Sequence, residues 1–375
     1  MVELTTVLLL TAVAFAGGAF GASLGALPSF AFTGFVVIVG EVVNIGSDLA
    51  AAAGTDGALG AYGITGSIAF GAGFGPHVAF AGGAAAAAYA ARRGKMDTGF
   101  DYHEAKNITH SLGSAPDVLL VGGAFGALGY LVFYLSKTTF GLPFDPVAFS
   151  VVVTAFCHRI AFGYPLIGDA REGLLNMVPY ERGRHREPVA DGGTVDDGRP
   201  TDGDPVETAT APPRLLVEPW LPYQYRWPNV AILGAVVGVF SGYTAWVTAS
   251  PFLAFGITAA SLLFLVLGAE QFPVTHHMAL PAGLLVVALV PGAAGAGLTP
   301  AEVQAAVPLW QVVVGGAAMG LVGGLTGELC QRVLYAHADT HLDPPAASIV
   351  LTTLLIAVLD IAGVFAQDFI PTLGL

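Results

Sequence analysis

The stretch AVAFAGGAFGASLGALP at residues 12–28 decides how the chain is read, because it carries no charge and repeats Gly17, Gly21 and Gly25 at every fourth residue along one helical face. Stacked glycines leave a groove that another helix backbone can enter. In lipid, where helices gain little from apolar burial, such small-xxx-small faces are a main source of packing energy. The spacing returns at Gly234, Gly238 and Gly242, at Gly316, Gly320 and Gly324, and in shorter form at Gly122 and Gly126. These glycines are read as helix-packing positions, with a groove lining a solute path as the alternative.

Working outward, the 375 residues are 54% hydrophobic and only 11% charged, which is too little polar surface for a soluble globule. Several uncharged runs approach or exceed the roughly 20 residues needed to cross about 30 Å of hydrocarbon. Apolar runs bounded by Pro, Gly or charge fall near 4–27, 28–46, 73–91, 117–136 and 146–167, then near 228–249, 251–270, 276–292, 309–331 and 344–366. The expected fold is therefore all-α: a polytopic transmembrane helix bundle of about ten spans. Residues 1–180 form its first half, 181–227 a linker and 228–375 its second half. The first run lacks a basic segment ahead of it and carries Glu3, so it reads as a transmembrane helix and not as a signal peptide.

The halves share segments in the same order. GPHVAFAGGAAAAAYA at 75–90 resembles THHMALPAGLLVVALV at 275–290; LLVGGAFGALG at 119–129 resembles VVVGGAAMGLVG at 312–323; DPVAFSVVVTAF at 145–156 resembles DPPAASIVLTTL at 343–354. Two tandem copies of five spans each must enter the bilayer in opposite senses. The expectation is an inverted repeat. Thirteen of the 14 Lys and Arg then fall on one side, with Lys137 alone on the other, which puts the linker in the cytoplasm and both termini outside the cell membrane. Residues 47–74 have no counterpart in the second half and read as a re-entrant element, with a full extra span as the rival.

The net charge of −13 resides mostly in loops, and residues 187–210 hold seven acidic groups against Arg199 alone. That composition describes an acidic disordered cytoplasmic tether. Its tail, LLVEPWLPYQYRWP at 215–228, has the Trp, Tyr and Arg mixture of an interfacial anchor. An acidic surface excludes nucleic acid as a partner. Cys157 and Cys330 have no metal-type spacing, no HExxH pattern occurs, and no nucleophile elbow, phosphate loop or dinucleotide fingerprint lies in a segment able to fold around it. Neither an enzyme, a metal nor a cofactor is expected.

Polar groups inside spans are the site candidates. Glu41 lies 13 residues beyond Pro28, or roughly 20 Å along a helix, and reads as an ion- or proton-handling carboxylate, with a buried structural hydrogen bond as the alternative. Glu270 follows a similar glycine context nearer an interface. His77 and His277 occupy matching positions before matching helices, with His276 adjacent; they read as pseudo-symmetric lining, or as groups that merely cap their helices. Glu328 and Asp360 are weaker candidates, each able to pair with Arg332 or Arg159. Asp145 and Asp343, each followed by Pro, read as helix N-caps. His158 and Arg159 read as snorkelling.

The stretch FAGGAFGASLGALPSFAFTGF at 15–35, the scarcity of Lys, at three against eleven Arg, and the acidic loops resemble a permease-like family of multi-pass membrane proteins of halophilic archaea. That resemblance carries no activity with it. The five-plus-five layout is similar, at fold level only, to amino-acid and sodium-coupled transporters. The functional expectation is a transporter, permease or channel for a small solute or ion, with the bilayer as its other partner and glycine faces that also suit a homo-oligomer. The second reading is a membrane scaffold or assembly subunit, and the third an intramembrane enzyme.

Overall fold

The computed structural model describes residues 4–52, 54, 63–170, 172–186, 214–291 and 297–365. The acidic stretch 187–210 and residues 55–62 of the inserted run therefore lie outside the described residues. Among the described residues the regular structure is helical, apart from one isolated antiparallel bridge between His185 and Leu215.

The α-helices in order are α1 Leu4–Leu24, α2 Ala26–Ala52, α3 Ala79–Arg92, α4 Pro116–Tyr134, α5 Pro146–Ala161, α6 Val178–Glu181 and α7 Trp227–Thr248. They continue with α8 Leu253–Ala260, α9 Leu262–Val266, α10 His276–Ala288, α11 Pro300–Ala306, α12 Leu309–Cys330 and α13 Pro344–Ile361. A helix occupies each of the ten apolar runs, but among the described residues six are long and apolar enough to cross a membrane: α1, α2, α4, α7, α12 and α13. α4 and α12 each reach that length through a closing π-helical turn, Leu135–Thr139 and Gln331–Tyr335. The remainder, α3, α5, α8 with α9, and α10, are shorter.

The frame is built from two helix trios. α1, α3 and α4 pack on one another, and so do α7, α10 and α12. In each trio two helices cross glycine on glycine: a Cβ on Gly18 would lie 2.3 Å from the Gly122 oxygen, and one on Gly238 would lie 2.0 Å from the Gly316 oxygen. No side chain fits at either crossing.

The groove that α1 offers to α4 lies one position round the helix from the row read from the sequence. Gly126 faces the Ala14 carbonyl, Gly122 faces Ala22, and Gly18 lies between them, so the row of α1 that packs on α4 is Ala14, Gly18 and Ala22. Gly17 and Gly21 turn one position round the helix and admit the chain entering α3, with Gly73 and Ala79 against them. Gly25, at φ +92°, ends α1 in the left-handed region that only glycine adopts without strain. In the second trio Gly316 and Gly320 receive Gly238 and Gly234, Gly324 meets the Val230 carbonyl, and Gly242 sits more loosely, 3.2 Å from the Val312 oxygen. The GlyGly pair at 17 and 18 explains the shift, since either glycine could have faced α4.

Outward, α1 and α7 expose large apolar residues such as Leu8, Leu9, Ile232 and Val236. Inward, the trios are joined by α2 packing on α8 and α9 and by α5 packing on α13.

Candidate functional site

α5 and α13 start alike. Asp145 accepts the Ala148 amide at 2.7 Å, Asp343 accepts the Ala346 amide at 2.9 Å, and a Pro follows each Asp in the first turn, where its missing N–H costs nothing. α3 and α10 start without side-chain caps. In α3 the Ala81 amide donates to Pro76, and in α10 Pro281 has no amide to donate. The carbonyls of His77 and His277 lie instead against Gly129 and Gly323, where a Cβ would come within 1.7 and 2.5 Å of them.

The first turns of α5, α10 and α13, with Pro76 and Phe80 at the head of α3, converge on one cavity of about 190 Å³. Its apolar wall includes Phe30, Phe70, Phe252 and Phe255; its polar groups include Asp145, Asp343, His276, His341, Lys106 and Trp220. The glycine-rich helices α1, α4 and α7 contribute nothing to this wall, and α12 is represented only through Tyr335 in the turn that follows it. The glycine-rich helices are a frame, and the chamber is made by the short helices together with the first turns of α2 and α13.

Among the sequence candidates only His276 lines this cavity. Its ring lies 4.7 Å from that of Phe30 and edge-on to that of Phe255, and its Nδ1 has no hydrogen-bond partner. His77 is buried away from the cavity, stacked on Phe133 at 4.6 Å, with neither ring nitrogen bonded. His277 packs its imidazole against Gly327 and Trp220.

Glu41 is buried between α2, the π-helical turn Ile64–Ala69 and the residues before α8. It accepts from Thr65 Oγ1 at 2.7 Å, Ser250 Oγ at 2.5 Å and Asn44 Nδ2 at 3.3 Å. These three donors satisfy the carboxylate within the protein. Glu328 pairs with Arg332 at 2.6 Å, while Arg332 also donates to the Leu175 and Tyr225 carbonyls. Glu270 is exposed in the loop after α9, and Asp360 is half-buried in the last turn of α13. Arg159 does not snorkel: it is fully buried and donates to Thr340 and to the carbonyls of Leu166, Leu334 and Thr340, so hydrogen bonds within the protein replace water.

Beneath the cavity lies a buried charge cluster. Lys106 Nζ sits 2.7 Å from Glu218 Oε2, with both side chains at 0% exposure, and 4.4 Å over the Tyr335 ring. Glu218 also pairs with Arg214 at 2.7 Å, and Arg214 pairs with Asp339. Burial alone would raise the Glu218 carboxyl, but Lys106 and Arg214 together hold it below its ordinary value; burial lowers Lys106 to about 8. The tail read as an interfacial anchor thus folds inward. Glu218 is fully buried, Gln224 exchanges hydrogen bonds with the Val274 backbone, and Trp220 faces the cavity.

His341, Asp343 and Lys106 were missed as site residues. The signals were present: two His and two Asp fall within HADTHLD at 337–343, where His341 and Asp343 lie 3.4 Å apart, and Lys106 is one of only three lysines. Among the described residues no group of three or more His, Cys, Asp or Glu could hold a metal ion.

No curated protein and no solved structure matches this chain. Over residues 1–373 it matches a family of unknown function, DUF7973, and it belongs to that family.

Proposed function

We propose that the chain is a multi-pass membrane transporter, permease or channel for a small solute, built as ten spans in two inverted five-span halves. The observation that carries the reading is the cavity to which both halves contribute, lined by the N-terminal turns of α2, α5, α10 and α13. Helices that begin inside a bundle, against a cavity, are the arrangement in which transporters expose backbone and polar groups to a solute.

The inverted repeat draws support from paired details. Gly18 meets Gly122 and Gly126 as Gly238 meets Gly316 and Gly320; Gly21 abuts the Ala79 carbonyl, and Ser241 donates to the Ala279 carbonyl at 2.6 Å. Each glycine-rich partner helix ends in a π-helical turn, and each last helix starts at an Asp cap. Under this reading α3 and α10 are pseudo-equivalent, as are α5 and α13.

The solute would sit among Asp145, Asp343, His276 and His341, and Glu41 would hold the Ile64–Ala69 turn to the start of α8. The test is a flux screen in proteoliposomes over ions and small solutes under an imposed pH or sodium gradient, comparing wild type with Ala148→Phe, which fills the cavity from the first turn of α5. Flux in wild type that the variant loses while remaining folded supports the reading. Absence of flux for every solute, with folded and oriented protein, moves the weight to the scaffold.

A further inference from the structure

The charges around the cavity do not balance. Lys106 is matched by Glu218. Asp145 and Asp343 have no such match: among the described residues neither carboxylate forms an ion pair with Lys or Arg, each receives a backbone amide from its own first turn, and Asp343 has in addition only the His341 ring at 3.4 Å. Elsewhere the buried carboxylates are answered, Glu218 by Lys106 and Arg214, Asp339 by Arg214, Glu328 by Arg332, and Glu41 by three neutral donors. Among the described residues Lys137 is the one cation whose charge acts on Asp145, but the two form no ion pair, and the Lys137 ammonium lies 5.6 Å from the Phe133 ring centroid. Uncompensated carboxylates are costly in an apolar site, and a bound cation removes that cost.

A second observation is independent of the acids. His276 is 4% exposed, lines the cavity, and its Nδ1 has no partner; His341, 1% exposed, also lines it with its own Nδ1 unbonded. A neutral imidazole offers one acceptor nitrogen, so polar capacity is left over where the wall is otherwise aromatic. The faces of Phe, Tyr and Trp attract ammonium groups but not carboxylates. Phe30, Phe255 and Trp220 supply such faces.

We infer that the cavity binds an apolar organic monocation, an ammonium group carried on an aliphatic or aromatic body, with Asp145 and Asp343 as its counter-charges and His276 as a further hydrogen-bond acceptor. The inference rests on the cavity being the solute site proposed above. The competing feature is the positive end of α10, which would favour an anion; the two capped carboxylates outweigh it, because they are full charges at the same cavity.

The test is calorimetric titration at pH 7 of the full chain in lipid nanodiscs with three probes of similar shape: 2-phenylethylammonium, 2-phenylethanol and 3-phenylpropanoate. The ammonium should bind about tenfold or more tightly than the other two. Asp145→Asn and Asp343→Asn should each weaken ammonium binding by about tenfold while keeping the helix cap, which Asn serves as well as Asp. Equal or tighter binding of the alcohol or the propanoate, or no ammonium binding by folded wild type, overturns the inference without any variant being needed. So does ammonium binding unchanged in both Asn variants. Ammonium binding without ammonium flux in proteoliposomes would sink the transport reading alone, whereas flux of some other solute without ammonium binding would sink this inference alone.

Discussion

The backbone N–H of Asp145 donates to Thr353 Oγ1 at 2.9 Å, so the first turn of α5 is fixed about halfway along α13. Both groups are buried. Thr353→Val would keep the shape and leave the amide unsatisfied, and the expected loss is about 1–3 kcal/mol. Thermal unfolding in detergent checks this, with Thr353→Ser expected to restore most of the wild-type transition.

The glycine crossings predict unequal costs along one helix. Alanine at Gly238 puts a Cβ 2.0 Å from the Gly316 oxygen, on a backbone that cannot give way without separating α7 from α12. At Gly242 the nearest atom is 3.2 Å away. Gly238→Ala should destabilise by roughly 1–3 kcal/mol or more, and Gly242→Ala by clearly less. Equal melting temperatures for the two variants would count against the packing described.

Glu41→Gln tests whether that carboxylate is structural. Replacing one acceptor oxygen by an amide sets an N–H against the Thr65 or the Ser250 hydroxyl. A loss of about 1–3 kcal/mol is expected, largely coupled to Ser250→Ala in a double-mutant cycle. Solute binding in the cavity should change little, because Glu41 is not part of its wall.

Acid should loosen the charge cluster. The Glu218 carboxyl is held below its ordinary 4.5, so its contribution to stability is fully present above pH about 4.5 and is lost as pH falls through the lower folded value. Asp339, held below 3.8 against the effect of its burial by Arg214 and Arg186, behaves in the same sense. Melting temperature measured from pH 6 down to pH 3 should therefore fall more steeply in wild type than in Glu218→Gln, which has already lost the charge at pH 6.

Much of the fold was legible because its signals are local. The Asp-Pro caps at 145 and 343 need only their own first turns, and long uncharged runs locate their helices without help from distant residues. The length of those helices was less legible: α3 and α10 are short, and the His77 and His277 carbonyls at their heads lie against Gly129 and Gly323, 52 and 46 residues further along the chain. The depth of Glu41 could be read from its distance to Pro28, but its donors Thr65 and Ser250 could not. The inward fold of residues 214–224 was illegible for the same reason. Its aromatic composition suits a headgroup layer equally well, and what decides otherwise is the pairing of Glu218 with Lys106, 112 residues earlier.

That pairing has a consequence for how the polypeptide could be made. Lys106 and Arg186 come from before residues 187–213, whereas Arg214, Glu218 and Asp339 come from after them, and the cluster binds both sets together through buried charges. Two fragments divided between residues 186 and 214 would therefore each carry one side of the same buried ion-pair cluster.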